Sequence, residues 1–454
     1  MATGQIETEE TDQTTGVVVR QLVEWFDRNA RDLPWRRTRD PYAVWVSEIM
    51  LQQTQVQTVI PYWTRWMERL PGVHELAAAP PEVVLRLWEG LGYYSRARNL
   101  QQAARRIVGD LGGVFPRDVA GLRALPGIGP YTAGAIASIA FDLPEPLLDG
   151  NVMRVLTRWS ALGGDPRSSP VNRDLWALAG RLVRIAHRSD GLGAARCSRL
   201  NQALMELGAM VCTPGPTPDC AACPVSNACL ARLRGETGRF PELAPRVAST
   251  PRFYATGIVE HAGRLLLRLR EETGVNRGFW EFPSWETAAD EAPGPLLSHH
   301  LGVDPRAWVT LPDLRHTITR YRITQRVLLA RVAGPPAGVG NGPAGTWLWA
   351  RPDELEALPL TSAHRKLAGR LPADGRHGKA DPCDGSDRAD LKAGNCHAGS
   401  AGPLSASKCT TADSSPRNTR SSRASSSRSR PTWIRSTATA SPSCASSAGS
   451  SSAT

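Results

Sequence analysis

The stretch Leu125-Pro-Gly-Ile-Gly-Pro-Tyr-Thr-Ala-Gly134 decides how the first half of the chain folds. The glycines at 127 and 129 allow a tight turn between a short helix and an apolar helix, with backbone N–H groups pointing outward where the second helix begins. Such a turn can be an ordinary connection between two helices. It can also hold a phosphate group without reading a base, because a helix N-terminus and an amide nest both favour an anion.

Apolar residues on both sides of this turn repeat with the spacing of amphipathic helices. Val18, Leu22, Trp25 and Phe26, for example, share one face of a helix. The pattern predicts a mainly α domain over residues 17–231. Its expected helices cover residues 42–53, 56–69, 81–90, 95–109, 131–141, 151–159, 171–186 and 198–210.

The pattern changes after a segment that contains Pro241 and Pro245 among charged residues. We expect residues 232–250 to be a linker. Beyond it, the apolar pattern predicts strands and short helices. The strands are expected at 252–260, 264–270, 320–331 and 346–350, and the helices near 352–357 and 361–370. The sequence thus predicts a second, α+β domain over residues 251–371.

The two ends of the chain have compositions that predict disorder. Residues 1–16 are acidic and polar, and residues 372–454 consist mostly of small, polar and Arg residues with almost no aliphatic side chains. Such segments bury too little apolar surface to offset their ordering entropy. The tail can be a basic DNA-binding arm, but a non-functional extension, including one read in a shifted frame, is the favoured interpretation.

The charge of the chain indicates a polyanionic partner only weakly. The formal net charge is +11, but residues 372–454 contain 11 Lys or Arg and 6 Asp or Glu and so carry +5, which leaves +6 for the other 371 residues. No run of about 18 uncharged apolar residues is present, which argues against a membrane helix. The acidic first residues are the opposite of a signal peptide. We therefore expect a cytoplasmic protein.

Two carboxylates occupy positions that suit catalysis. Glu48, in Trp45-Val-Ser-Glu-Ile-Met-Leu-Gln-Gln-Thr-Gln55, has apolar neighbours, so desolvation would raise its pKa as a general acid requires. An ordinary exposed glutamate is the alternative. Asp149, in Leu148-Asp-Gly-Asn-Val152, opens a helix. It can simply cap that helix, or it can face a cation that develops in a cleft.

Four of the nine cysteines lie within eighteen residues, namely Cys212, Cys220, Cys223 and Cys229. In a cytoplasmic chain a tight cluster indicates a metal site rather than disulfide bonds. Four thiolates can hold a zinc ion or a [4Fe–4S] cluster. Spacing alone does not choose well between them, although zinc ribbons usually show two Cys-x2-Cys pairs and this chain has one.

These motifs together resemble the MutY-type adenine DNA glycosylases of the endonuclease III, or helix-hairpin-helix, superfamily, over nearly all of residues 17–231. The resemblance implies a helix-hairpin-helix over 118–141 and a [4Fe–4S] cluster on the four cysteines (loop 212–229), whose first gap is one residue longer than in the family. It implies Glu48 as the general acid and Asp149 as the carboxylate that stabilises the sugar cation or attacks it. It further implies that Tyr131 and Asn151 support these carboxylates, that Arg36 and Gln202 contact the extruded adenine, that Gln53 and Tyr93 fill or wedge the duplex, and that Gly127 and Gly129 hold a phosphate.

The second domain resembles the Nudix-like domain with which these enzymes sense 8-oxoguanine. The match rests on Gly278-Phe-Trp-Glu-Phe-Pro283 and His316-Thr-Ile-Thr-Arg-Tyr321. Where the family has Phe-Ser-His, this chain has Ile318-Thr319-Arg320, which keeps a hydroxyl, has a smaller apolar side chain and replaces an imidazole by a cation. The resemblance implies that Thr319 and Arg320 contact the oxidised guanine.

One position separates two branches of the superfamily. Endonuclease III-type enzymes, which also cut the strand, carry a Schiff-base lysine where this chain has Tyr131, and the first lysine of the chain is Lys366. We therefore expect a monofunctional, monomeric, nucleoid-associated enzyme that hydrolyses adenine from double-stranded DNA opposite 8-oxoguanine or guanine. The alternatives are a glycosylase/lyase for oxidised pyrimidines and a non-catalytic DNA-binding protein, which would need neither Glu48 nor Asp149.

Overall fold

Helices occupy the chain up to residue 233, and strands begin at residue 250. The computed structural model describes residues 2–245, 248–270, 276–339 and 346–371, with side chains from residue 13 onward. These residues belong to one compact unit of the chain. No helix in this part of the chain is long and apolar enough to cross a membrane.

The helices of the first domain follow the apolar periodicity of the sequence. Proline stands at the first position of several of them, where its missing N–H costs no hydrogen bond. Their bounds are α1 Ala2–Asn29, α2 Pro41–Leu51, α3 Val56–Arg69, α4 Val73–Ala78, α5 Pro81–Leu87, α6 Ser95–Leu111, α7 Val119–Arg123, α8 Pro130–Phe141, α9 Gly150–Ser160, α10 Ser169–Arg188, α11 Arg196–Met210 and α12 Leu230–Leu233.

Helix α8 carries small or apolar residues on every face, so it can be buried on more than one side. It lies between two apolar cores. Ile136 packs into the core that contains most of α2 to α6, whereas Ile139 packs into the core formed by α1, α9, α10 and α11. Gly134 allows a close approach at this point, since a Cβ there would collide with the Pro146 carbonyl just before α9. Residues from α2 and from the start of α9 can therefore face each other beside α8.

The second domain is a mixed sheet with a helix on each side. Its strands are β1 Thr250–His261, β2 Arg264–Leu269, β3 Trp280–Glu281, β4 Ser284–Thr287, β5 Trp308–Ile318, β6 Tyr321–Arg331 and β7 Trp347–Ala350. The sheet order is β3-β2-β1-β6-β5, with β4 also paired to β1 and β7 to β2; β1 and β6 run parallel. Helices α13 (Pro293–Leu301) and α14 (Ser362–Ala368) pack against the sheet through separate apolar clusters.

The N-terminal boundary differs from the expected one. Residues 2–16, expected to be disordered, form the first half of α1. No proline interrupts this segment, and Thr15 is already buried. The helix therefore begins upstream of Val18, where its repeating apolar face begins, and a boundary drawn from apolar periodicity alone misses this part.

The expected linker is largely part of the first domain. Phe240 is buried, and its carbonyl accepts a hydrogen bond from the Arg158 guanidinium at 2.9 Å. The Glu242 carboxylate accepts from the Gly164 N–H at 2.7 Å. These long-range contacts hold residues 232–245 against the helices, and a prediction from local composition could not detect them. The tail 372–454 lies outside the described residues.

Candidate active site

Glu48 sits near the end of α2, a helix that is buried on almost every face. Asp40 caps the helix by accepting from the backbone N–H groups of Tyr42 and Ala43, and apolar side chains before and after Glu48 carry it into the interior. Only 5% of Glu48 is exposed, and its carboxylate accepts a hydrogen bond from the Tyr131 hydroxyl at the start of α8. Burial raises the pKa of Glu48 to about 7, against the opposing effect of the Tyr131 hydrogen bond.

Asp149 is both a helix cap and a neighbour of Glu48. One oxygen accepts from the Val152 N–H at 2.7 Å and the other from the Asn151 amide at 2.8 Å, so the capping role is real. Burial nevertheless raises the pKa of Asp149, which these hydrogen bonds oppose. Its charge in turn helps to raise the pKa values of Glu48 and Tyr131. The three groups therefore share one site between the two cores.

Asn151 also connects Asp149 with the cysteine loop. Its side-chain oxygen accepts from Arg154 at 2.9 Å, and the same guanidinium donates to the Cys212 carbonyl at 2.7 Å. Gly208 of α11 makes this approach possible, because a Cβ there would collide with Asn151. The helix that begins at Asp149 is thus fixed against the loop that carries the cysteines.

Arg36 and Gln202 lie on the side of the site formed by α11. Arg36 donates to the Glu206 carboxylate at 2.9 Å, and Arg31 makes a two-pronged contact with the same carboxylate at 2.7 and 2.8 Å. Burial alone would raise the pKa of Glu206, but these hydrogen bonds outweigh it and lower the pKa to about 2. Gln202, one turn before Glu206, donates to the Ser198 hydroxyl at 3.1 Å. The positive charge of Arg36 also acts on Glu48: it lowers the pKa of that carboxyl and so partly offsets the effect of burial.

The hairpin between α7 and α8 has the geometry that its glycines predict. Gly127 has φ +76°, and a Cβ there would collide with Asn99 of α6. Gly129 is the residue before α8, and the space where its Cβ would stand is open. The start of α8 therefore presents its first backbone N–H groups to solvent beside an opening that a backbone or a phosphate could enter.

Gln53 and Tyr93 are exposed on two turns that a single arginine joins. Both residues have left-handed backbones, with φ +56° and +46°, and 45% of Tyr93 is exposed. The Arg96 guanidinium donates to the Gln52 carbonyl at 2.7 Å and to the Gly92 carbonyl at 3.1 Å. Two exposed side chains thus stand on neighbouring, conformationally restricted turns.

Thr319 and Arg320 form the two-residue turn between β5 and β6. Thr319 has φ +53°, and Arg320 donates to the Tyr321 hydroxyl at 3.0 Å. Both residues are exposed. No hydrogen bond or ion pair among the described residues joins them to the carboxylates of the first domain.

The four cysteines Cys212, Cys220, Cys223 and Cys229 line one cavity together with Arg158 and Arg232. The Arg158 guanidinium lies 3.4 Å from the Cys212 sulfur. As the side chains stand, no group of three or more His, Cys, Asp or Glu in the described residues is arranged to hold a metal ion. The donor set still suits a thiolate-bound cluster, because an adjacent cation offsets the negative charge of four thiolates.

Comparisons with known proteins cover both domains. Residues 46–181 match the HhH-GPD superfamily of base excision DNA repair proteins, and residues 254–370 match the NUDIX domain. The adenine DNA glycosylase of Rattus norvegicus is 38% identical over 81% of this chain and 80% of its own length. The chain belongs to the adenine DNA glycosylase family. The adenine DNA glycosylase of Mus musculus is 44% identical over 79% of this chain and 78% of its own length.

The family assignment confirms the fold class and the resemblance expected from the sequence, a helix-hairpin-helix domain followed by a Nudix-like domain. Among solved structures, a thermostable thymine-DNA glycosylase is 28% identical and covers 49% of this chain and 99% of its own, with a TM-score of 0.44. Sequence reasoning missed Glu206, the buried carboxylate that binds Arg31 and Arg36. It also missed Arg31, Arg96, Arg154 and Arg158, whose guanidinium groups join segments that are distant in sequence.

Proposed function

We propose that this adenine DNA glycosylase hydrolyses the N-glycosidic bond of adenine opposite 8-oxoguanine or guanine, with Glu48 as the general acid. The observation that carries the proposal is the buried carboxyl of Glu48, which has a pKa of about 7 and shares its site with Asp149. A carboxyl group that is half protonated at neutral pH can donate a proton to a leaving base and then accept one from water. A DNA-binding protein without catalytic activity has no use for this pair.

The reaction begins with the adenine outside the base stack, which costs a few kcal/mol. Protonated Glu48 donates to N7 of the adenine, so the base leaves as a neutral molecule when the glycosidic bond breaks. The sugar becomes oxocarbenium-like and needs an anion nearby, a role that the ionised carboxylate of Asp149 fills. Glu48, now ionised, accepts a proton from the attacking water, and an abasic site remains.

The residues around the two carboxylates have supporting roles in this proposal. Tyr131 donates to Glu48 and holds the carboxyl in place, and Asn151 does the same for Asp149. Arg36 and Gln202 bind the extruded adenine from the α11 side. The buried Glu206 fixes the Arg36 guanidinium, whose position would otherwise depend on a flexible side chain.

The duplex is held by groups that do not read sequence. The backbone N–H groups around Gly127 and Gly129 bind a phosphate, supported by the exposed start of α8. Gln53 and Tyr93 occupy the space that the adenine leaves. Thr319 and Arg320, exposed on the β5–β6 turn, contact the 8-oxoguanine opposite.

Cys212, Cys220, Cys223 and Cys229 would hold a [4Fe–4S] cluster in a structural role. When bound, the cluster would supply a rigid cross-link among the segments that carry the four thiolates. Arg158 would stabilise that region, since its guanidinium binds the carbonyls of Thr213 and Gly215 at 2.8 and 2.6 Å.

The enzyme is proposed to release the base without cutting the strand. Tyr131 occupies the position of the Schiff-base lysine of the lyase branch, and its half-buried phenol, whose pKa is raised by desolvation, is not an amine nucleophile. The first lysine of the chain, Lys366, lies on α14 of the second domain.

Single-turnover cleavage of duplexes with adenine opposite 8-oxoguanine or guanine, with and without hot alkali, tests the proposal. We expect strand breaks that require alkali and that form faster opposite 8-oxoguanine. Glu48→Gln should abolish base release while DNA binding persists, with Glu68→Gln on the surface of α3 as the matched control. Full activity of Glu48→Gln, or breaks that form without alkali, would contradict the mechanism.

A further inference from the structure

The turn formed by residues 88–94, here called the wedge turn because it carries Tyr93, contacts the second domain directly. The Arg365 guanidinium of α14 makes two parallel hydrogen bonds to the Glu89 carboxylate, at 2.6 and 2.9 Å. The Phe279 ring lies 4.2 Å from the ring of Tyr94, measured between centroids. The residues on both sides of Tyr93 in the wedge turn are therefore held by the second domain.

Phe279 packs as a member of the first domain, although it belongs to the second in sequence. It is 0% exposed, and it groups with the apolar core of α2 to α6 rather than with either cluster of the sheet. Gly278 has φ +74° and lies against Leu85 of α5, so the chain turns sharply where it enters this core. A side chain that completes a neighbour's core restricts the movement of one domain against the other.

The inner side of the wedge turn is held by Arg96. Its guanidinium donates to the carbonyls of Leu91 and Gly92 at 3.0 and 3.1 Å. The same guanidinium donates to the carbonyls of Ile49 and Gln52, at 2.7 Å each. Ile49 lies near the C-terminal end of α2, and Gln52 is the residue that follows the helix. Contacts therefore run from α14 through the wedge turn to the helix that carries Glu48.

The wedge turn adopts a conformation that needs such support. Gly90 has φ +103°, and Tyr93 has a left-handed backbone that costs an L-residue free energy. Strained turns of this kind persist only where the surrounding contacts determine them. Glu89 and Tyr94, which bracket Tyr93, are the residues that the second domain contacts.

We propose that Arg365 and Phe279 are positioning residues that couple recognition of the base opposite adenine to the insertion of Tyr93 into the duplex. The second domain sets the position of the wedge turn through Glu89 and Tyr94, and the turn holds Tyr93 against the stack. This inference rests on the proposed roles of Tyr93 as the wedge and of the second domain as the sensor of 8-oxoguanine. It assigns neither residue a contact with the reacting atoms.

The test compares substrates that do and do not require a base pair to open before the adenine leaves the stack. Single-turnover adenine release is measured for Arg365→Met and Phe279→Leu on duplexes with adenine opposite 8-oxoguanine, opposite guanine, and opposite a tetrahydrofuran abasic analogue, where no base pair has to open. The matched controls are Arg351→Met, which removes an arginine paired with Glu354 within the second domain, and Phe282→Leu, a fully buried ring in that domain's own core. Thermal unfolding of each variant reports on its folding.

We expect both variants to release adenine opposite 8-oxoguanine about three- to tenfold more slowly, with the preference over guanine reduced, and to act at the wild-type rate opposite the abasic analogue. The double variant Glu89→Arg/Arg365→Glu should recover part of the loss. Equal losses on all three substrates, or the same selective loss in either control, would make the contact merely structural and overturn the proposal. No adenine release by the wild-type protein on any substrate would instead overturn the proposed function.

Discussion

The buried environment of Glu48 is the strongest indication that this residue acts as a general acid. Its pKa of about 7 has one dominant cause, the burial of a carboxyl group among apolar side chains, and the nearby charge of Asp149 adds to it. The raised pKa of Asp149 has the same main cause. The proposed mechanism requires Glu48 to be protonated while Asp149 is ionised, so it predicts a rate that depends on pH in both directions.

We expect the single-turnover rate to fall about tenfold per pH unit above pH 7, because only protonated Glu48 donates to the base. On the acid side, the rate falls as Asp149 is protonated, and its raised pKa brings this limb to a higher pH than for a surface aspartate. Rates measured from pH 5 to pH 9 with saturating enzyme check the profile. A rate that stays flat from pH 6 to pH 9 would contradict the assignment of Glu48.

Glu48 should also make the folded protein less stable at alkaline pH. The folded-state pKa is raised above the unfolded value of 4.5, so the unfavourable contribution of the ionised carboxyl appears as pH rises through this window and is complete above about 7. We expect Glu48→Gln to be more stable than the wild type at pH 8, by about 3 kcal/mol of unfolding free energy, and to unfold at a higher temperature. The difference should nearly vanish at pH 4.5, and melting curves at the two pH values measure it.

Glu206 stabilises the fold through two arginines that are far away in sequence. Removal of its charge in Glu206→Gln leaves Arg31 and Arg36 without their common anion, and we expect a loss of about 3 kcal/mol of unfolding free energy. Urea denaturation measures it. Asp32→Asn, which removes an exposed partner of Arg37, is the control and should leave the midpoint unchanged. Equal midpoints for both variants would contradict the expectation.

At the scale of elements, the hairpin between α7 and α8 depends on one glycine more than on the other. Gly127→Ala should cost about 1–3 kcal/mol and weaken DNA binding, since φ is positive and Asn99 leaves no space for a Cβ. Gly129→Ala should unfold at the wild-type temperature, because its Cβ points into open space. Thermal unfolding and binding to a non-specific duplex separate the two, and equal destabilisation would contradict this explanation of the turn.

The elements show what the sequence could and could not predict. Apolar spacing located α3 to the residue, and it placed β1, β2, β6 and β7 within a few residues, because apolar residues repeat at helical spacing in α3 and cluster in short runs in these strands. It missed β5, whose face is largely exposed. The helix over residues 2–16 and the packed segment 232–245 were also missed.

The site was predictable to the extent that its residues lie in compact motifs. Glu48, Tyr131 and Asp149 could be named from strings of ten residues, and the structure brings them together. Their roles, like those of Thr319 and Arg320, stay predictions. Glu206 and Arg96 could not be named, because their function depends on partners that are up to 175 residues away and arginine has no distinctive local pattern.

At the scale of the whole molecule, we expect the charge of residues 372–454 to have little effect on activity and DNA binding. A chain that ends at Leu371 loses the 11 basic and 6 acidic residues of the tail. We expect its rate of adenine release, and the slope of DNA affinity against salt concentration, to match those of the full chain. A slope that becomes shallower by one or more units would show that the tail contacts phosphates and is a basic arm after all.

Phe279 has a consequence for how such a molecule can evolve. A ring encoded in the second domain fills the core of the first, so the segment that encodes the first domain does not specify its complete core by itself. A recombination event that attached a different recognition domain to the helical domain would have to supply an apolar ring at the same place, or leave a cavity beside Tyr94. The two segments are therefore expected to be inherited as a pair, with new substrate preferences arising by substitution within the second domain rather than by its replacement.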